Sequence, residues 1–383
     1  MNKKSVLHFL LHTVLLGATL ALLAGAYMGL AYWRDPLHLF HPTQSERFFQ
    51  NVGMRMLAAG FINSYEFDSA IIGNSMLQNV SSKDMEKSLD GRFMNLSMRG
   101  SLYKERAVVL DHLLRKKKVK HVVYGLDTFF GMCGEGGHPE RFWTFLYDED
   151  KWNDLKVYTD LRYFSAVLFG LPKNKGVSLD RPKAWGEDPY HTCRFGGLES
   201  WIKYMDRGGI GYFLTKELPK TAAIADPSRP IQSVAGREAP LQKHMEKYLF
   251  SRIENNRDTK FHLIFVPYWR YNFAKERQTA PEHFALHQNM VRYIIRRAEE
   301  LGNVSVYGFE DCAFVDDVAL YRDIAHYSQD IDRYMAESVG KDRHRLTSAN
   351  VEAYLARCEE LARKFDLKAL NEEVQRLLAE KKK

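Results

Sequence analysis

Short apolar runs alternate with amphipathic stretches from about residue 67 onward, and their spacing predicts an α/β body. Phe67–Gly73 (FDSAIIG), Arg92–Leu96 (RFMNL), His121–Leu126 (HVVYGL), Lys260–Pro267 (KFHLIFVP) and Val304–Gly308 (VSVYG) are brief and rich in branched or aromatic residues. That is the pattern of parallel strands buried on both faces. Ser82–Leu89, capped by Ser81 or Ser82, Ser101–Lys117, Ala239–Asn255 and Pro281–Leu301 repeat apolar residues at helical spacing. Strand and helix in alternation predict right-handed crossovers and a doubly wound, mainly parallel, three-layer sheet of the flavodoxin-like kind. Three more helices follow the last strand, over Asp330–Val339, Ser348–Phe365 and Leu367–Lys381, so a helical C-terminal part of about 340–383 closes the chain.

Two regions depart from this rhythm. Val6–Trp33 contains no Asp, Glu, Lys or Arg, and a helix of about 28 residues at ~1.5 Å each exceeds the ~30 Å hydrocarbon core of a bilayer. Tyr27, Tyr32 and Trp33 suit an aromatic belt, and Lys3 and Lys4 before the span favour a cytoplasmic amino terminus. A cleavable signal peptide ending at Ala24-Gly25-Ala26 is the rival; apolar residues continuing past that site favour an uncleaved anchor over residues 1–34. Residues 35–383 then form one extracytoplasmic body, periplasmic or cell-surface, with a connector over 35–65 that has helical character around Glu46–Ala59. The second departure, about 128–235, is rich in Gly, Pro and aromatics without clean periodicity, and reads as an insertion covering the site end of the sheet.

Composition adds little beyond a foldable core: 45% hydrophobic, 13% aromatic, 27% charged. A net charge of +7 without a basic stripe or recognition motif gives no nucleic-acid partner. Four cysteines without a CxxC pair permit one disulfide in an exported protein, with Cys133–Cys193 the first choice. Cys133, His138, His191 and Cys193 are zinc-ligating residue types, but their spacing fits no common site, and no metal or cofactor is expected. Phe142, Trp143, Phe145, Tyr147 and Tyr268, Trp269, Tyr271 form two aromatic clusters; sugar stacking and burial in the core both use such residues, and burial accounts for most of them.

The candidate chemistry lies at strand ends. Gly73-Asn74-Ser75 comes directly after the first strand, where an open α/β sheet binds ligands, and the Ser75 amide is expected near a helix amino terminus, able to stabilise an oxyanion. A serine nucleophile needs a base, and the base needs an orienting group. Asp323-Ile324-Ala325-His326, after the last strand, offers both on one turn. GNSML lacks the second glycine of the α/β-hydrolase elbow.

In order along the chain, IIGNSMLQN, NLSMRGS, VVYGLDTFF, LIFVPYW and YRDIAHYS resemble the blocks of the SGNH (GDSL-like) hydrolase superfamily, over Ile71–Ser328 with the insertion unmatched. More narrowly they resemble its membrane-anchored bacterial branch, which includes DltD-like D-alanyl transfer and alginate O-acetylation proteins. The resemblance implies Ser75 as nucleophile, His326 as base, Asp323 as its orienter and Gly100 as an oxyanion amide. It further implies a cell-envelope polysaccharide or acyl-donor substrate and a membrane-bound O-acyltransferase as partner. The third block departs, with Asp127 where the superfamily has an Asn donor, and an ionised carboxylate cannot donate. Asn74 or another group takes that task, Asp127 binds substrate, or the hole is incomplete. The expected function is a serine esterase or acyltransferase; the alternative is a non-catalytic polysaccharide-assembly or glycan-binding protein of the same fold.

Overall fold

The computed structural model describes all residues except 1–2, 43–46, 50–52, 128–136, 170–175, 179, 181–192, 207–208, 232 and 382–383. The chain divides into two compact units, Met1–Glu66 with Pro139–Val177, and Phe67–His138 with Ser178–Lys383. The stretch read as a single insertion is thus shared. Residues 139–177 join the amino-terminal unit and 178–235 the sheet-bearing one.

In the first unit, α1 (Lys3–Arg34) is long and apolar enough to cross a membrane, and its most apolar window is not buried at all. It is followed by Asp35, whose carboxylate accepts the amides of Leu39, Phe40 and His41 and the Tyr158 hydroxyl. A single carboxylate collecting three consecutive amides and a phenol turns the chain sharply out of the helix. The expected helix around Glu46–Ala59 is displaced. Arg47–Phe49 is a strand (β1), and α2 runs Met54–Ser64. Gly53 caps α2. Within it, a Cβ on Gly60 would fall 2.1 Å from the Leu37 carbonyl oxygen, so only glycine fits beneath that turn.

The second unit is built on β2 (Ser69–Ile72), α3 (Ser82–Ser88), β3 (Phe93–Asn95), α4 (Tyr103–Lys116) and β4 (His121–Leu126). In the first unit α5 (Leu161–Phe169) comes next, and β5 (Gly176–Ser178) pairs with β1. The chain then returns to the second unit through α6 (Leu198–Lys203), α7 (209–224) and α8 (239–254) to β6 (Lys260–Phe265). The last elements are α9 (Arg270–Thr279), α10 (Pro281–Leu301), β7 (Val304–Gly308), α11 (Gln329–Gly340), β8 (Arg345–Leu346), α12 (Val351–Lys364) and α13 (Leu367–Lys381).

The six-stranded sheet has the order β3-β2-β4-β6-β7-β8, parallel except for β8. Ile71, Val123 and Ile264 of one face pack with Met85, Met335, Val339 and Val374 of α3, α11 and α13. On the other face Tyr124 stacks with Tyr103 of α4, and Phe265 meets His287 of α10 edge-on. The doubly wound expectation therefore holds for this unit. Counting only the parallel strands in chain order, the sequence across the sheet is 2-1-3-4-5. In that order the winding reverses between the first and third strands, and the crevice at their carboxyl ends is where ligands bind. Here those strands are β2 and β4, and Ser75 and Asp127 lie just past their ends.

Candidate active site

Two glycines shape the end of β2. A Cβ on Gly73 would lie 3.0 Å from the Leu77 Cβ, and one on Gly125 of β4 would lie 3.0 Å from the Leu77 Cδ1. Leu77 fills the space both glycines leave. The turns that carry it are tied down by Asn95 at the end of β3, whose Nδ2 donates to the carbonyls of Leu77 and Val80. Among residues 70–82, Ser75 is the single one that is not buried.

The helix expected from Ser82 is present, but its amino terminus does not lie at the Ser75 amide. α3 begins at Ser82, with Ser81 Oγ accepting from the Asp84 amide as its cap. Past Ser75 the chain makes a series of turns, the first closed by Asn74 Oδ1, which accepts from the Met76 amide at 2.8 Å. The Ser75 amide accordingly gains no help from a helix dipole. The side-chain bond from Asn74 holds the turn in its place.

His326 reaches Ser75 from the far end of the sequence. His326 Nε2 lies 2.9 Å from Ser75 Oγ, and Nδ1 lies 2.8 Å from both carboxylate oxygens of Asp323. An ionised carboxylate only accepts, so the proton sits on Nδ1 and the Nε2 lone pair accepts the serine hydroxyl. Asp323 also accepts the amides of Ala325 and His326, which makes the DxxH spacing a self-closed turn. Burial by itself would raise the Asp323 carboxyl. The His326 charge and hydrogen bonds together with the Arg322 guanidinium, 3.3 Å away, outweigh burial and hold it well below the usual carboxylate range.

Both flanks of this loop are braced. Tyr321 and Tyr327 form an antiparallel bridge across it, and the Arg322 amide donates to the His326 carbonyl. The Tyr327 hydroxyl donates to the Met76 carbonyl at 2.6 Å, tying the residue after His326 to the residue after Ser75. The Tyr321 carbonyl accepts from the indole of Trp201 in α6, and Asn272 of α9 donates to the Ile324 carbonyl. The 178–235 stretch therefore supports the loop that presents His326.

Asp127 has a role that sequence reasoning missed. Its Oδ2 takes a bond from Arg106 Nη2 at 2.5 Å, and its Oδ1 takes Asn74 Nδ2 at 2.6 Å and the Tyr268 hydroxyl at 3.0 Å. Arg106 is fully buried. It lies between the Tyr103 and Tyr124 rings and donates also to Ser101 and to the Gly125 carbonyl. Burial would lower the Arg106 guanidinium, but the neighbouring Asp127 charge reverses that and raises it. The Tyr268 phenol is pushed well up, first by burial and then by Asp127, so it remains a neutral donor. Asp127 is thus an internal acceptor that positions Asn74. Asn74 in turn spends both ends of its amide inside the protein, on Met76 and Asp127, and offers nothing to a substrate oxygen through those bonds.

Two backbone amides, those of Ser75 and Gly100, lie in the Asn74-Ser75 turn and the one beside it. The pairing of β3 with β2 extends past the strands to the Met98 amide on the Gly73 carbonyl, which places the next turn alongside Asn74-Ser75. Ser101 donates its amide to the Met98 carbonyl to close that turn, and Gly100 occupies it with φ +61°, an αL position where glycine is favoured. Among the described residues, neither the Ser75 nor the Gly100 amide donates to another protein group. Arg322 is lowered from its ordinary value by burial, and further by the charges of Arg99 and Arg194. Arg322 is itself paired with Asp323 and Arg194 with Asp206.

Of the remaining sequence candidates, Cys133 and His191 lie outside the described residues, and with them the disulfide with Cys193 and the zinc constellation that includes His138. Trp143, Tyr147, Trp269 and Tyr271 are buried, while Phe142 is exposed and Phe145 and Tyr268 are partly so; burial accounts for most of the two clusters. Compared with known proteins, the chain matches no family model and no curated protein sequence.

Proposed function

We propose that the chain is a membrane-anchored serine esterase or acyltransferase of the SGNH-like kind, acting outside the cytoplasmic membrane on a cell-envelope glycan or similar polymer. The observation that carries this reading is the unbroken line of hydrogen bonds Asp323–His326–Ser75. In it a carboxylate fixes the tautomer of an imidazole whose other nitrogen faces a half-buried hydroxyl. The order of the matching blocks and the 2-1-3-4-5 sheet support the SGNH-like assignment. Lys3 and Lys4 at the start of α1, before its apolar stretch, support the placement of the body outside, and the resemblance to the O-acetylation branch supports delivery of the acyl group by a membrane-bound O-acyltransferase.

In this mechanism Ser75 Oγ attacks the acyl carbonyl while its proton passes to His326 Nε2. The carbonyl oxygen becomes an oxyanion facing the Ser75 and Gly100 amides. The intermediate collapses by breaking the bond to the leaving alkoxide, which takes the proton back from Nε2 and leaves an acyl-serine. Water or an acceptor hydroxyl then gives its proton to His326 and attacks the acyl carbon, and Ser75 recovers that proton as it leaves. Asp323 stays ionised and stabilises the imidazolium in each half.

The test uses the full-length protein in detergent with p-nitrophenyl acetate. The expected result is turnover that falls by on the order of 10⁴-fold or more in both Ser75→Ala and His326→Ala, with a fluorophosphonate labelling Ser75 alone. Absence of both turnover and labelling in the folded protein overturns the reading, and retained glycan binding would then mark it as a non-catalytic relative.

A further inference from the structure

A second cluster of chemically capable side chains sits at the other end of the sheet, three strand positions from β2, or roughly 14 Å at ~4.8 Å per strand. The chain leaving β7 turns at Phe309–Cys312, and β8 enters antiparallel beside it, with the Gly308 amide donating to the His344 carbonyl at 3.1 Å. This approach requires Gly308, since a Cβ there would lie 2.6 Å from the Tyr354 ring and 2.7 Å from Leu346. It brings Asp311, Cys312 and His344 together, one ligand-type atom from each, all within 4.8 Å of one another.

The details favour a purpose beyond packing. Cys312 Sγ and His344 Nδ1 are 3.9 Å apart. A tetrahedral zinc with Zn–S ~2.3 Å and Zn–N ~2.05 Å would set them about 3.6 Å apart, so a shift of a few tenths of an ångström suffices. His344 Nε2 is meanwhile engaged by the Tyr334 hydroxyl at 2.6 Å, the outer hydrogen bond that orients metal-ligating imidazoles. His344 and Asp342 both hold left-handed backbone, φ +60° and +51°, which residues with side chains adopt only sparsely. In His344 this conformation accompanies the turning of the ring toward Cys312. The loop opposite is clamped by the buried Arg270, which donates to Asp316 and to the Glu310 and Cys312 carbonyls. A cavity of about 310 Å³ borders Asp311 and His344 and leaves room for a water as a fourth ligand.

We infer that Asp311, Cys312 and His344 bind a divalent transition-metal ion, with Zn²⁺ best matched to a thiolate, imidazole and carboxylate set. A thiolate and a carboxylate balance its two charges, so the bound site is neutral. The site shares no residue with the triad and does not depend on the esterase reading.

The full-length protein in detergent is stripped with a chelator and titrated with Zn²⁺ or Co²⁺. We expect one tightly held ion per chain and, with Co²⁺, a near-ultraviolet thiolate-to-cobalt absorption band. Cys312→Ser and Asp311→Asn should abolish the band or weaken binding strongly. His344→Asn should do so while keeping the left-handed backbone that Asn tolerates. Tyr334→Phe should weaken affinity by about 10–100-fold. Circular dichroism of each variant separates lost ligation from lost folding. An absence of binding, binding without the thiolate band, or binding equal in folded Cys312→Ser and His344→Asn overturns the inference. The 3.9 Å contact is then an ordinary thiol–imidazole hydrogen bond.

Discussion

Replacing Asp323 by Asn isolates the orienting task of its carboxylate. In the native loop one Asp323 oxygen accepts the Ala325 and His326 amides at 2.9 Å each, and both oxygens lie 2.8 Å from His326 Nδ1. The Asn Oδ1 can keep the two amide bonds, so the turn survives. Its NH₂ group then replaces the oxygen beside Nδ1 and donates to it, which moves the imidazole proton to Nε2. In that tautomer Nε2 donates toward Ser75 and cannot take its proton. A mis-set tautomer of this kind costs about 10⁴-fold in kcat, or about 5.4 kcal/mol of barrier at ~1.36 kcal/mol per decade. The variant also changes the acid limb of stability. Because the folded Asp323 carboxyl lies below its ordinary value, it contributes stability that is present above pH ~3.9 and lost as pH falls toward the folded value. Asp323→Asn should lack that loss. Steady-state hydrolysis of p-nitrophenyl acetate and melting temperatures over an acid pH series measure both effects. Turnover within about tenfold of wild type, alongside an inactive Ser75→Ala, would refute the tautomer argument.

Asp127→Asn restores the residue type of the resembling superfamily but leaves Arg106 buried without its counter-charge. It should destabilise the protein by about 3–5 kcal/mol in denaturant melts, and a gain in activity without loss of stability would contradict the positioning role. Gly73→Ala pushes a methyl into Leu77 and should cost about 1–3 kcal/mol, with Leu77→Ala in the same chain recovering part of it in a double-mutant cycle. Asp332 is buried beside Asp84, and burial first, then that charge, raises its carboxyl well above the ordinary value. A raised acid destabilises the fold increasingly as pH climbs past ~3.9, so Asp332→Asn should raise the melting temperature at neutral pH and change it little at pH ~3. An unchanged neutral-pH melt would show that the buried carboxyl carries no penalty.

The strands and the longest helices were readable because their apolar runs are bounded by residues that stop them. β4, β7, α10 and α13 lie where the pattern puts them. α9 escaped notice for the opposite reason. Its buried face includes Arg270, Arg277 and Gln278, which are polar residues satisfied by partners remote in sequence, and hydropathy does not register them. β8 is two residues long and reverses direction, too short for any periodicity. In the site, Ser75, Asp323 and His326 were legible from block order, and the structure brings them together. The part played by Asp127 was not, since its meaning lies in Arg106 one helix earlier. A carboxylate facing a guanidinium is indistinguishable in sequence from one facing solvent. The Asp311, Cys312 and His344 cluster spans a long separation without a spacing motif, and only the antiparallel return of β8 joins it.

The brace from Tyr327 to Met76 has a consequence for how the protein comes into being. Ribosomes deliver the serine early and its base 251 positions later. Until the final crossover docks, position 75 is an ordinary alcohol, incapable of attacking any ester it meets. Under the proposed function, reactivity appears late in folding, and a nascent or prematurely ended polypeptide is chemically silent by construction.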